Sequence, residues 1–157
     1  MSKVAQGTDD TPPMGTAMNF FSLEEMRCRD GTPYPSEWVA TRWPALVSTL
    51  NTIRVAWGAP LAVVSGYRSP AHNATLAADS NAKGLHGVAS GSQHMEGNAA
   101  DIRPMNGSQA ENAKLHTLIL DLHSAGRLPL LGGLGRYPGW CHVDTHRAAD
   151  GHLRRWG

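Results

Sequence analysis

Gly97 lies between His94 and Asp101 in the stretch Ser92-Gln93-His94-Met95-Glu96-Gly97-Asn98-Ala99-Ala100-Asp101, and a fold that uses both polar side chains together must bend there. Residues seven apart on a straight strand point to opposite faces. Glycine turns a backbone at little steric cost, and Ala99 and Ala100 leave room for close packing beside the turn. A second segment, Trp140-Cys141-His142-Val143-Asp144, reads as a strand near the C-terminus. Alternation puts Trp140, His142, Asp144 and His146 on one face and Cys141, Val143 and Thr145 on the other. The second face is apolar enough for core. The first is polar and aromatic and suits the floor of a cleft.

The chain has 157 residues, enough for one domain with its own core. Fourteen basic and thirteen acidic residues leave a formal charge of +1, with no basic run. Nucleic-acid binding through phosphates needs a dense Lys/Arg face, and the sequence offers none. Cys28 and Cys141 form no CxxC pair; a bridge stays open, but free thiols fit this composition better. Residues 1–18 read as a flexible polar leader without the apolar core of a signal peptide, and residues 19–157 as the domain. No later run is long enough to span a membrane. Synthesis as a soluble cytoplasmic protein is expected, and a target outside the membrane would need another factor for delivery.

Phe20 to Met26 reads as a short helical turn capped by Ser22. A long helix starts near Pro44, with Trp43, Leu46, Val47, Leu50, Ile53 and Trp57 recurring at helical spacing, and ends at Gly58 and Pro60. Leu61 to Ser65 reads as a buried strand. Ser69 and Pro70 open a second helix, and Asp79 to Gly91 reads as mostly loop, long enough for a lid. Ala99 to Arg103 reads as a strand closed by Pro104. Ser108 and Glu111 have capping-box spacing for a helix whose apolar face is Leu115, Leu118, Ile119 and Leu122, stopped at Gly126. Leu128–Tyr137 and Trp140–Thr145 form a hairpin-like pair around Pro138-Gly139, and 147–157 reads as a polar tail anchored by Trp156. The expected class is α+β, a small antiparallel sheet with helices packed against it.

Two imidazoles and a carboxylate form a three-ligand set for a catalytic zinc that keeps a fourth position for water. Taken singly, a His or Asp in a strand is more often a hydrogen-bonded structural residue, and His72, His116, His123 and His152 are read that way. If His142 is a ligand, strand parity turns Cys141 away from the metal.

The whole string says more. Ser92, His94, Gly97, Ala99 and Asp101, followed by His142 and Asp144, resemble the zinc D-alanyl-D-alanine carboxypeptidase family. That family also holds D-Ala-D-Ala dipeptidases and phage L-alanyl-D-glutamate endopeptidases, and hedgehog zinc domains share the ligand set. Ser65-Gly66-Tyr67-Arg68-Ser69-Pro70 resembles its substrate-binding arginine turn, and Phe21-Ser22 with Cys28-Arg29-Asp30-Gly31 resembles the opening of its cell-wall members. The resemblance covers nearly everything from Phe20 to Trp156.

It implies a zinc ion held by His94, Asp101 and His142, with Arg68 binding an oxyanion or substrate carboxylate. Ser92 would contact substrate or pin the turn before His94, and Trp140 would help to shape the substrate cleft. Many relatives carry a general base a few residues before the last ligand. Arg136 to Cys141 contain no carboxylate. Asp144 is the favoured substitute, as proton acceptor or as a partner of the metal site; His146, His86 and Glu96 are further candidates. The implied activity is hydrolysis of amide bonds in peptidoglycan stem peptides or cross-links, as in a carboxypeptidase, endopeptidase or phage endolysin. The alternatives are a zinc-bearing wall-binding domain without turnover and a cytoplasmic D-Ala-D-Ala dipeptidase. The expected partner is the peptide substrate, and nothing demands more than a monomer.

Overall fold

The computed structural model describes residues 19–85 and 92–157; the leader 1–18 and the second half of the proposed lid loop lie outside them. Five strands form one sheet in the order β1-β2-β4-β3-β5, with β1 Leu61–Ser65, β2 Ala99–Pro104, β3 Gly133–Arg136, β4 Cys141–Asp144 and β5 Arg154–Trp156. Three helices accompany it: α1 Trp43–Trp57, α2 Pro70–Ala82 and α3 Gln109–Ser124. The architecture is α+β, as expected.

The helices form where local chemistry permits. Pro44 sits in the first turn of α1, and Gly58 closes that helix in the left-handed region at φ 79°. Leu46, Val47, Leu50 and Ile53 bury one face of it. Ser69 caps α2 and Ser108 caps α3, each hydroxyl accepting the backbone N–H three residues on, from His72 and Glu111. Leu115, Ile119 and Leu122 of α3 join the core with Ile102, Leu134 and Val143 from the sheet. Asn112, buried in α3, donates from Nδ2 to the Tyr137 carbonyl at 2.8 Å and so ties the helix to the β3–β4 hairpin.

Three expectations need correction. The 79–91 segment is not loop from its start, because α2 runs on to Ala82. Among the described residues β1 is an edge strand that pairs only with β2, and Leu61 alone is buried along it. The tail after Arg147 supplies β5, which runs parallel to β3 and makes the sheet mixed at that edge. Both cysteines are free and buried. No helix among the described residues is long and apolar enough to cross a membrane.

One face of the sheet carries the core; the other carries a polar row set by register. Asp101 pairs with Ser65 on one side and with His142 on the other, His142 with Gly135, and Gly135 with Trp156. The row thus crosses all five strands. Ser65 enters it because the pairing of β1 with β2 shifts between Val63 and Ser65, a bulge that adds one residue on the β1 side. Arg29 donates to the carbonyls of Val63 and Val64 at this bulge. Ala99, Asp144, Gly133 and Arg154 form the next row on the same face.

Candidate metal centre

His94 does not sit on a strand. Ser92 caps a short 3-10 helix, Gln93–Glu96, and its Oγ accepts the His94 N–H at 3.2 Å. Gly97 ends that helix at φ 71°, and the chain then enters β2, which carries Asp101. A Cβ at Gly97 would strike the Trp38 ring and the Tyr34 hydroxyl. The bend expected at Gly97 is therefore required both by conformation and by packing. The Tyr34 hydroxyl donates to the Gly97 carbonyl at 2.8 Å, fastening the turn between the two polar residues.

The turn brings three atoms together. His94 Nε2 lies 3.1 Å from Asp101 Oδ1, His142 Nδ1 lies 3.1 Å from the same oxygen, and the two ring nitrogens are 3.2 Å apart. All three side chains are buried. The far nitrogen of each ring decides what these atoms offer. His94 Nδ1 stands 2.7 Å from the Gly66 carbonyl, and His142 Nε2 stands 2.8 Å from Asp144 Oδ2. Both partners are acceptors, so each far nitrogen carries the hydrogen and donates it. In the neutral rings, His94 Nε2 and His142 Nδ1 then present lone pairs to Asp101 and to each other. Three lone pairs facing one another at this distance repel unless a cation lies between them. Zinc bonds of about 2.0–2.1 Å in tetrahedral array imply ligand separations of roughly 3.3 Å, close to those seen. The donor set fits a metal ion of the zinc class.

Charge in the pocket is paired. Arg68 donates to Asp101 Oδ2 at 3.4 Å, to Ser65 Oγ at 3.2 Å and to Asn73 Oδ1 at 3.3 Å, while its own N–H donates to the His94 carbonyl. Burial pulls the Arg68 guanidinium down in pKa, and the Asp101 charge opposes it. Burial likewise pushes the Asp101 carboxyl up, yet its bonds and charge interactions with His94 and His142 outweigh this and hold it well below the usual range. His94 is lowered, chiefly by burial. For His142 burial acts in the same sense, but Asp101 and Asp144 together raise it.

Asp144 is fully buried on the far side of His142 from the three-atom cluster. Its Oδ1 accepts from Arg154 Nη2 and from the His146 N–H. Of the two roles open to Asp144 in the sequence, this geometry favours holding His142 over taking a proton from water. Ser92 is likewise engaged in holding the turn. Trp140 is half-buried and stacks on Tyr137, with centroids 4.9 Å apart and planes at 14°. Glu96 faces Arg42 on the surface and His146 is exposed; His86 lies outside the described residues.

Residues not anticipated complete the surroundings. Arg154 neutralises Asp144. Trp156 places its ring 5.0 Å from that of His142, and its Nε1 donates to the Tyr137 hydroxyl at 3.0 Å. Gly133 and Gly135 make both placements possible, since a Cβ at Gly133 would collide with the Asp144 carboxylate and one at Gly135 with the Trp156 indole. The alternate glycines of Gly133-Leu134-Gly135 were the available signal: two bare positions on one strand face next to the His142 strand.

A family model described as Peptidase M15 matches residues 19–144, a span that holds every residue of the cluster. The chain belongs to the peptidase M15 family. It is a metallopeptidase, a hydrolase of peptide bonds. Among solved structures, this M15 peptidase is similar to the L-Ala D-Glu endopeptidase ChiX of Serratia marcescens, with a TM-score of 0.51 and 16% identity over 72% of this chain and 86% of that one. At that identity the likeness concerns the fold. No curated protein matches the chain.

Proposed function

We propose that the protein is a zinc-dependent peptidase that cleaves amide bonds in peptidoglycan stem peptides or cross-links, with His94, Asp101 and His142 as the metal ligands. The observation that carries this reading is the convergence of three buried ligand atoms, on His94, Asp101 and His142, with the far ring nitrogens of the two histidines held by the Gly66 carbonyl and Asp144. Membership of the M15 family and the fold shared with an enzyme titled an L-Ala D-Glu endopeptidase support the substrate class.

A bound zinc ion would supply Lewis acidity and an activated water at neutral pH. The chain's own groups divide the remaining work. Gly66 and Asp144 hold the two imidazoles in the donor tautomers and fix their planes. Arg154 pairs with Oδ1 of the Asp144 carboxylate, whose Oδ2 faces His142. Arg68, half-buried beside Asp101, presents a guanidinium to a substrate carboxylate or to the oxygen on which charge develops. Trp140 and Tyr137 offer a stacked aromatic wall for the substrate's apolar groups. The same machinery would suit an endolysin or a carboxypeptidase.

Release of new amino groups from purified peptidoglycan and from free D-Ala-D-Ala, with and without a chelator, tests the proposal. Chelator-sensitive release from the wall polymer is expected. Release from the dipeptide alone would make the protein a dipeptidase, and release from neither despite bound zinc would leave a non-catalytic wall-binding domain.

A further inference from the structure

A second group of metal-ligating side chains lies outside the centre described above. Cys28, Asp30 and His72 each offer one ligand atom, and the three atoms lie within 4.8 Å of one another. Cys28 and Asp30 belong to a tight loop: the Cys28 N–H donates to the Thr32 carbonyl at 2.8 Å, and the Thr32 N–H donates to Asp30 Oδ1 at 2.9 Å. Arg29, between them, is fastened to β1. His72 stands in the first turn of α2. The loop and the helix are joined at Ser69, whose N–H donates to Cys28 Sγ at 3.4 Å and whose hydroxyl donates to Asp30 Oδ2 at 2.6 Å. Among the described residues the His72 ring has no hydrogen-bond partner. The Cys28 sulfur is buried, His72 is half-buried and Asp30 is exposed, so the group opens to solvent on the carboxylate side.

We propose that Cys28, Asp30 and His72 form a second binding site for a divalent transition metal of the zinc class. One thiolate, one imidazole and one carboxylate make a mixed soft and borderline donor set that favours zinc, cobalt or cadmium over calcium or magnesium. Binding releases the Cys28 thiol proton to solvent and forms the metal–sulfur bond in its place. Ser69, which bonds both Cys28 Sγ and Asp30 Oδ2, directly follows Arg68 in the chain.

Cobalt(II) titration of the metal-free full-length chain tests the site, because a cobalt–thiolate bond gives a near-ultraviolet charge-transfer band that a His/Asp/His centre lacks. The band is expected in the wild-type protein and absent in Cys28→Ser. In His72→Ala, a half-buried change that spares the sulfur should weaken cobalt binding at this site by roughly tenfold or more. The visible bands from cobalt at His94, Asp101 and His142 should persist in both variants. Failure of the main centre to bind would remove only those visible bands and leave this proposal standing. Absence of the charge-transfer band in wild type at saturating cobalt overturns it, as does a band undiminished in Cys28→Ser, which would assign the sulfur to Cys141. If Cys28→Ser does not fold, unaltered cobalt affinity in His72→Ala overturns it by itself.

Discussion

Asp144 Oδ2 and His142 Nε2 are 2.8 Å apart, and this bond leaves His142 Nδ1 to face His94 and Asp101. In the proposed centre the carboxylate would act through the imidazole. Asp144→Asn should lower zinc affinity by roughly 10–100-fold, the usual effect of losing a partner behind a metal-bound imidazole. Competition against a chelator of known strength measures it. A fall in kcat with zinc affinity unchanged would return Asp144 to the role of proton acceptor.

Arg68 touches Asp101 yet is no member of the three-atom cluster. Arg68→Lys should therefore retain one zinc per chain and lose roughly 10²–10³ in kcat/KM on wall peptides, since a lysine cannot reproduce the two-pronged contact. Metal content and amine release, measured on the same preparation, separate the two effects.

Gly97→Ala combines a left-handed backbone at φ 71° with a collision against the Trp38 ring. A cost of at least about 2 kcal/mol is expected from the strain and the clash together. Thermal unfolding should show it, and zinc binding should weaken in parallel because His94 and Asp101 flank the turn.

Tyr34 gives the fold a pH-dependent margin. Burial pushes its hydroxyl up to about 12 from an ordinary 10. The folded state holds that proton longer than the unfolded chain does, so the contribution is fully present below pH about 10 and is lost as the pH rises toward 12. Tyr34→Phe should cost about 1 kcal/mol at neutral pH through the lost bond to the Gly97 carbonyl. It should also flatten the decline in stability above pH 10. Denaturant unfolding at pH 8 and pH 11 compares the two proteins.

Sequence patterning was most informative where one local rule acted alone. The 3.6-residue recurrence of Leu46, Leu50 and Ile53 located α1, and Ser108 with Glu111 located the start of α3. Strand parity sorted Cys141 and Val143 into the core and His142 and Asp144 onto the opposite face. What stayed hidden depended on distant partners. Arg154-Arg155-Trp156 is too short and too charged to show a strand period, and it becomes a strand only because β3 offers it an edge. The composition of Asp79 to Ala82 suggests a loop, but helical hydrogen bonding already established upstream carries α2 through it. The tautomers of His94 and His142 depend on Gly66 and Asp144, contacts that no spacing rule reveals for the first and only parity suggests for the second.

The polar row from Ser65 through Asp101, His142 and Gly135 to Trp156 takes one residue from every strand. Chains fold from the N-terminal side as they leave the ribosome. Ser65 and Asp101 can pair early, but His142 cannot be enclosed until the strand bearing Trp156 has emerged and docked. The covering of His142 thus waits on β5, made after the other four strands, whose Trp156 ring lies 5.0 Å from the imidazole.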